Sequence, residues 1–175
     1  MASNLPYPNR KIIRVTPTLS TDAYQLGDVF FTATEIPNAV FANGGCSILT
    51  NMYILDQSDI ADTDLMFIFT QGNTALGAIN ATANISGDDM EAIGFNTMCF
   101  LDASEGATGV MIDDVKIHEA VKLVSDTDSR YPMGSGMMLQ AASDSTSVYV
   151  QAVLSSATTP TYAADDIQLI FHIEY

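Results

Sequence analysis

The chain has 175 residues, of which 47% are hydrophobic and 15% charged, so it can bury the core of one domain and is too apolar for a disordered tail. Its net charge of -15 at pH 7 comes from 21 acidic and six basic residues. So few cations argue against binding to nucleic acid or to an anionic membrane surface, because both require clustered Lys and Arg.

The first half of the chain predicts an extended arm followed by strands. Pro6 and Pro8 disfavour helix over residues 1–10. Runs of β-branched and aromatic residues, bounded by Gly, Pro and Asp, then predict strands. These strands cover residues 11–20, 27–36, 46–57 and 64–71. The last of them, DLMFIFTQ, is the most apolar segment and is predicted to lie centrally in a sheet.

One short helix is predicted before the strands resume. Ser86 or Asp88 can cap a helix across DDMEAI, and Gly94 can end it. FNTMCFL, residues 95–101, returns to a strand pattern. Residues 109–126 are rich in Val and Ile and favour strand or irregular loop over a long helix.

The last part of the chain predicts three further strands, at residues 134–143, 147–156 and 166–175. The total of about eight strands, at their spacing, is typical of an all-β fold, a β-sandwich or jelly-roll-like domain. We therefore expect a basic N-terminal arm over residues 1–14 and a single β-sandwich domain over residues 15–175.

The charge is unevenly placed along the chain. Arg10, Lys11 and Arg14 are half of all the basic residues, and no acidic residue precedes Asp22. A basic arm on an acidic body is suited to tether one copy to the acidic face of a neighbour. The alternative is a frayed, solvated terminus, which is a common state of chain ends.

No pattern in the sequence indicates catalysis or a cofactor. The two histidines, His118 and His172, have no paired metal-ligand spacing, and there is no nucleophile elbow or phosphate-binding glycine loop. Cys46 and Cys99 stand in apolar stretches and are expected to be small buried side chains. We expect a protein that is not an enzyme and needs no cofactor.

An acidic segment, DQSDIADTD, separates two predicted strands and is the strongest of the weak candidates for a metal site. Its carboxylates belong to Asp56, Asp59, Asp62 and Asp64. Calcium prefers several such oxygens, but the spacing is not that of an EF-hand. A solvated loop tip with turn-forming Asp residues is the simpler interpretation.

Four segments resemble small structural proteins of tailed bacteriophages, including cyanophage-type phages. They are RVTPTLSTDAYQLGDVFFTATEIPNAV, CSILTNMYILDQSDIADTDLMFIFT, NATANISGDDMEAIGF and GMMLQAASDSTSVYVQAVLSSATTPTYAADDIQLIF. The resemblance implies a capsid decoration, or cement, protein that sits on the head lattice, often as a trimer. It implies the major capsid protein and further copies of the chain as partners.

Under this interpretation, Tyr7, Arg10, Lys11 and Arg14 are the predicted partner-binding residues. The amino terminus lacks the apolar run of a secretory signal, and no stretch reaches the roughly 18 apolar residues of a membrane helix. We therefore expect synthesis in the host cytoplasm and a final location on the capsid surface.

Two other functions remain open at this point. A tail, neck or head-fibre component would share the fold but assemble along an axis. A carbohydrate-binding β-sandwich would need aromatic rings for stacking, and the seven tyrosines supply candidates while the absence of Trp counts against it.

Overall fold

The computed structural model describes residues 10–58, 63–101, 109–112, 115–123, 130–132 and 136–175. Strands dominate, as predicted, and one short helix accompanies them in the described part of the chain. In chain order the elements are β1 (Arg10–Val15), β2 (Val29–Ile36), β3 (Cys46–Asp56), β4 (Leu65–Thr70), α1 (Gly87–Ala92), β5 (Phe95–Leu101), β6 (Gly109–Ile112), β7 (Val115–Glu119), β8 (Val121–Leu123), β9 (Arg130–Pro132), β10 (Met137–Gln140), β11 (Val148–Leu154) and β12 (Ile167–Glu174).

The strands form two antiparallel sheets. The first sheet has the order β1-β12-β3-β7-β6, and β10 also pairs with β3. Both partners fit on one side of β3 because β10 pairs with its first residues and β7 with its last. The second sheet has the order β2-β11-β4-β5-β8-β9, which places the most apolar strand, β4, inside the sheet.

The predicted all-β sandwich is confirmed, including strands in place of a long helix over the described residues of 109–126. The core lies between the two sheets. Its residues occupy every second position of a strand, because successive side chains point to opposite faces of the sheet. In β12, Leu169, Phe171 and Ile173 are buried, and the residues between them are partly exposed. Phe171 meets Phe69 of the opposite sheet in an edge-to-face contact, with ring centroids 6.1 Å apart.

The predicted short helix is also confirmed, with Ser86 as its cap. The Ser86 hydroxyl accepts a hydrogen bond from the Asp89 N–H at 3.1 Å, which satisfies one of the free donors of the first turn. Gly94 follows the helix with φ of +67°, a conformation that glycine adopts without steric cost. No helix among the described residues is long and apolar enough to cross a membrane.

The segment between β4 and β5 covers the outer face of the second sheet. Leu76 and Ile93 from this segment form a small second core with Val29, Ile68 and Val153. Gln151, fully buried on β11, accepts from the Leu76 N–H at 2.9 Å and donates to the Thr74 carbonyl at 2.8 Å. One side chain thereby fixes the start of the covering segment to the sheet.

Replacing Gln151 with Leu should lower the free energy of unfolding by about 1–3 kcal/mol, because the Leu76 N–H and the Thr74 carbonyl would lose their partner in a buried place. Urea unfolding measures the change. The matched control is Gln168→Leu, on the partly exposed outer face of β12, which should lower the free energy of unfolding by a smaller amount. Equal losses in the two variants would contradict this role for Gln151.

Candidate docking surfaces

Three of the four predicted partner-binding residues lie on β1, at the edge of the first sheet. Each residue of β1 has a partner on β12, from Arg10 opposite Glu174 to Val15 opposite Leu169. Arg10, Lys11 and Arg14 are exposed, whereas Ile13 is buried in the core. The cations therefore stand at fixed positions on a sheet edge, while Tyr7 and the rest of residues 1–9 lie outside the described residues.

These cations are only partly neutralised within the chain. Arg10 Nε lies 3.3 Å from Glu174 Oε2, but its side chain is 73% exposed, and an exposed pair of this kind contributes at most about 1 kcal/mol. In the described part of the chain Lys11 and Arg14 form no ion pair. The edge strand thus presents positive charge on a strongly acidic protein.

Two grooves meet at Arg10 and Lys11. One, of about 360 Å³, continues over β12 and β3 past Ile12, Asn51 and His172. The other, of about 410 Å³, leads to Phe41 and Tyr175. Both are open, so they suit contact with a surface better than enclosure of a small molecule.

Phe41 is an exposed aromatic residue that the sequence analysis did not single out. Its side chain is 77% exposed, and its ring lies edge-on to Tyr175 with centroids 6.5 Å apart. Nothing in a single sequence marks it, because EIPNAVFANGG reads only as a strand end and a turn. A large exposed ring with so few internal contacts is typical of an interface anchor.

The loop that carries Phe41 is held by hydrogen bonds on both of its sides. The Tyr175 hydroxyl donates to the Asn38 carbonyl at 2.6 Å, and the Ser47 hydroxyl donates to the Ala39 carbonyl at 2.7 Å. The Val40 N–H donates to the Thr146 carbonyl at 3.1 Å. Because the backbone is fixed in this way, binding through Phe41 would lose little conformational entropy.

The outer face of the first sheet is open and partly apolar. Ile48 and Met138 lie opposite each other on β3 and β10 and are 40% and 61% exposed. Half-buried Tyr53, Leu55 and Ile170 continue the same face. Among the described residues, no segment covers this face in the way that the β4–β5 connection covers the second sheet. We call this surface the open face.

The outer side of the second sheet carries a different surface, at the junction of α1 and β5. Asp88, Asp89 and Glu91 are exposed on the helix, which has no basic residue in its last turn. Phe95 and Met98 follow on β5, each 44% exposed. Apolar side chains beside three carboxylates make this surface, the α1–β5 patch, the acidic counterpart of the β1 edge.

The carboxylates proposed as weak calcium ligands are only partly described. Asp56 is buried, and its Oδ1 accepts from the Ser58 N–H and hydroxyl at 2.8 and 2.5 Å, so it serves a local turn. The Asp64 N–H donates to the Ser156 hydroxyl at 3.2 Å. Asp59 and Asp62 lie outside the described residues. Among those described, no three His, Cys, Asp or Glu side chains converge on a point that could hold a metal ion.

His118 is buried near Asp56, away from the exposed surfaces. Burial lowers the pKa of the His118 imidazole, against the opposing attraction of the Asp56 carboxylate. Burial likewise raises the pKa of Asp56, although hydrogen bonds from Ser58 and the nearby Lys116 and His118 oppose the shift. The two groups belong to the packed body, and the His118 Nδ1 has no hydrogen-bond partner in the described part of the chain.

The cysteines differ from the sequence expectation in one respect. Cys99 is fully buried and burial raises its pKa, as expected for a core thiol. The expectation was wrong for Cys46, which is exposed because it begins β3 on the outer side, opposite Gln140. Both are free thiols.

Acid should destabilise the protein through His118. A His pKa below its unfolded value means that the unfolded chain binds the proton more readily, so the free energy of unfolding should fall as pH drops through the unfolded pKa of about 6.5. His118→Gln should flatten the decline between about pH 7.5 and 5.5 in urea unfolding. The control is His172→Gln, which changes a residue beside Tyr53 on the open face and should leave the decline in the free energy of unfolding unchanged. A decline of the same size in His118→Gln would exclude His118 as its source.

Comparison with known proteins adds no relative to this description. No protein-family model matches the chain, and a search of curated proteins found no significant match.

Proposed function

We propose that the protein is a virion structural protein that decorates a phage capsid and stabilises it by binding the lattice of the major capsid protein. The observation that carries the proposal is the open face, where Ile48 and Met138 are exposed across two paired strands. A sheet that faces only water usually alternates apolar inner residues with polar outer ones. Exposed aliphatic side chains on the outer row therefore favour a protein partner.

The composition of the open face agrees with a protein interface. Interface centres are enriched in Met, Tyr and Arg, and the outer row of the first sheet offers Met138, Tyr53 and Arg14. The resemblance of the sequence to phage decoration proteins then selects the capsid lattice as the partner. Binding to the assembled lattice in preference to free subunits would stabilise the lattice by mass action, and many copies would add their effects.

The arrangement of the tyrosines gives less support to carbohydrate binding. Tyr24 and Tyr162 are buried among core rings, so neither can offer a face to a sugar. Tyr53 lies edge-on to His172, and Tyr175 lies edge-on to Phe41. Tyr7 lies outside the described residues.

The test is co-sedimentation of the purified protein with phage heads that were assembled without it. Saturable binding at a fixed ratio to the major capsid protein is the expected result. No binding to heads, together with binding to isolated tails or necks, would overturn decoration in favour of a tail or neck component.

Met138→Asp should weaken binding to heads at least tenfold, about 1.4 kcal/mol, because a carboxylate would have to be buried at the centre of the interface. Leu26→Asp is the matched control, since Leu26 is also 61% exposed but precedes β2 in the other sheet. Thermal unfolding of both variants should match that of the parent protein. If the Met138→Asp and Leu26→Asp variants bound heads with equal affinity, the open face would be excluded as the docking surface.

A further inference from the structure

We infer that the β1 edge of one copy docks on the α1–β5 patch of a second copy. On β1 and beside it, the contact uses Arg10, Lys11 and the Phe41 ring, which line one groove. On the second copy it uses Asp88, Glu91 and the apolar pair Phe95 and Met98. This contact goes beyond the proposed function, because it joins copies of the chain to each other and requires no capsid.

Charge complementarity is the first argument. The first 14 residues hold three basic residues and no acid, whereas the remainder holds all 21 acidic residues. In the structure this contrast becomes local: Arg10 and Lys11 stand exposed at the start of β1, and three exposed carboxylates stand on α1. Opposite charges of this kind attract across an interface and fix its register.

The apolar residues at the two surfaces are the second argument. Phe41 projects from a hydrogen-bonded loop, 77% exposed, beside the cations. Phe95 and Met98 follow α1 along the chain and are less exposed than Phe41, and Met98 sits opposite Ile68, whose side chain belongs to the second core. An aromatic ring that meets a methionine and a second ring gains favourable contact beyond charge alone.

The positions of the two surfaces determine the kind of assembly. The β1 edge belongs to the first sheet, and the α1–β5 patch lies on the outer side of the second, so one copy can use both at once. Each such contact joins two different surfaces of the chain. Repeated from copy to copy, contacts of this kind close into rings or continue as open chains.

The test uses charge reversal in the full-length protein. The parent protein should associate at about 0.1 M salt, as measured by light scattering and sedimentation velocity, and less at about 1 M, where screening is much stronger. Arg10→Glu with Lys11→Glu should prevent association. Asp88→Lys with Glu91→Lys should do the same, because each double variant then carries one sign of charge on both surfaces.

Mixing the two double variants should restore association, because the acidic β1 edge of one then meets the basic α1 of the other. Asp22→Lys with Asp165→Lys is the matched control for the α1 variant: it makes the same change in net charge as Asp88→Lys with Glu91→Lys, at other exposed sites, and should leave association intact. Phe41→Ala should raise the dissociation constant at least tenfold, whereas Leu26→Ala should not. Circular dichroism and thermal unfolding of each variant verify that it is folded.

A parent protein that stays monomeric at every concentration would overturn the inference, as would folded variants that associate like the parent. If each double variant failed to associate alone and the mixture of the two also failed, the pairing of these two surfaces would be overturned. The experiment contains no capsid, so its result is separate from that of head binding. Binding to heads by a monomeric parent protein would retain the decoration function and reject the contact.

Discussion

The pairing of β12 with β3 is the interaction on which the rest of the structure depends. It runs through eight residue pairs at the centre of the first sheet, and β12 holds the edge strand β1 on its other side. Because side chains alternate between faces, this register places Leu169, Phe171 and Ile173 in the core. A slip of one residue would exchange the two faces, exposing the core row and burying Glu174 and His172. The buried row therefore specifies where the charged and open surfaces lie.

The outer faces of the two sheets differ in how they are covered by the described part of the chain. The second sheet is covered by the β4–β5 connection, which Gln151 and the small core around Ile68 hold in place. In the described part of the chain the first sheet has no such cover. An all-β protein with one closed and one open side is suited to lie on a larger surface. Under the proposed contact between copies, the positively charged sheet edge of one copy would meet the negatively charged helix of another.

These surfaces would supply binding energy in complementary ways. Contact between one copy and a lattice need not be strong, because copies that also bind each other add their contacts within one assembly. The attraction between charged surfaces would orient neighbours and accelerate their encounter, while the exposed apolar residues Met138 and Phe41 would provide most of the affinity once buried in an interface.

The amino-acid sequence by itself determined the all-β class, the approximate strand positions, the Ser86 cap and the concentration of positive charge near the amino terminus. These features depend on local alternation, turn residues and capping chemistry, which act over a few residues. Only the tertiary structure decided that Arg10, Lys11 and Arg14 belong to an edge strand, that Cys46 is exposed, and that Phe41 projects beside the cations. It also decided which sheet is covered and which is open. The physical reason is that exposure depends on strands distant in sequence: Ile48 and Met138 are apolar residues of predicted strands, and only the pairing of β3 with β10 shows that both are exposed on the same outer face.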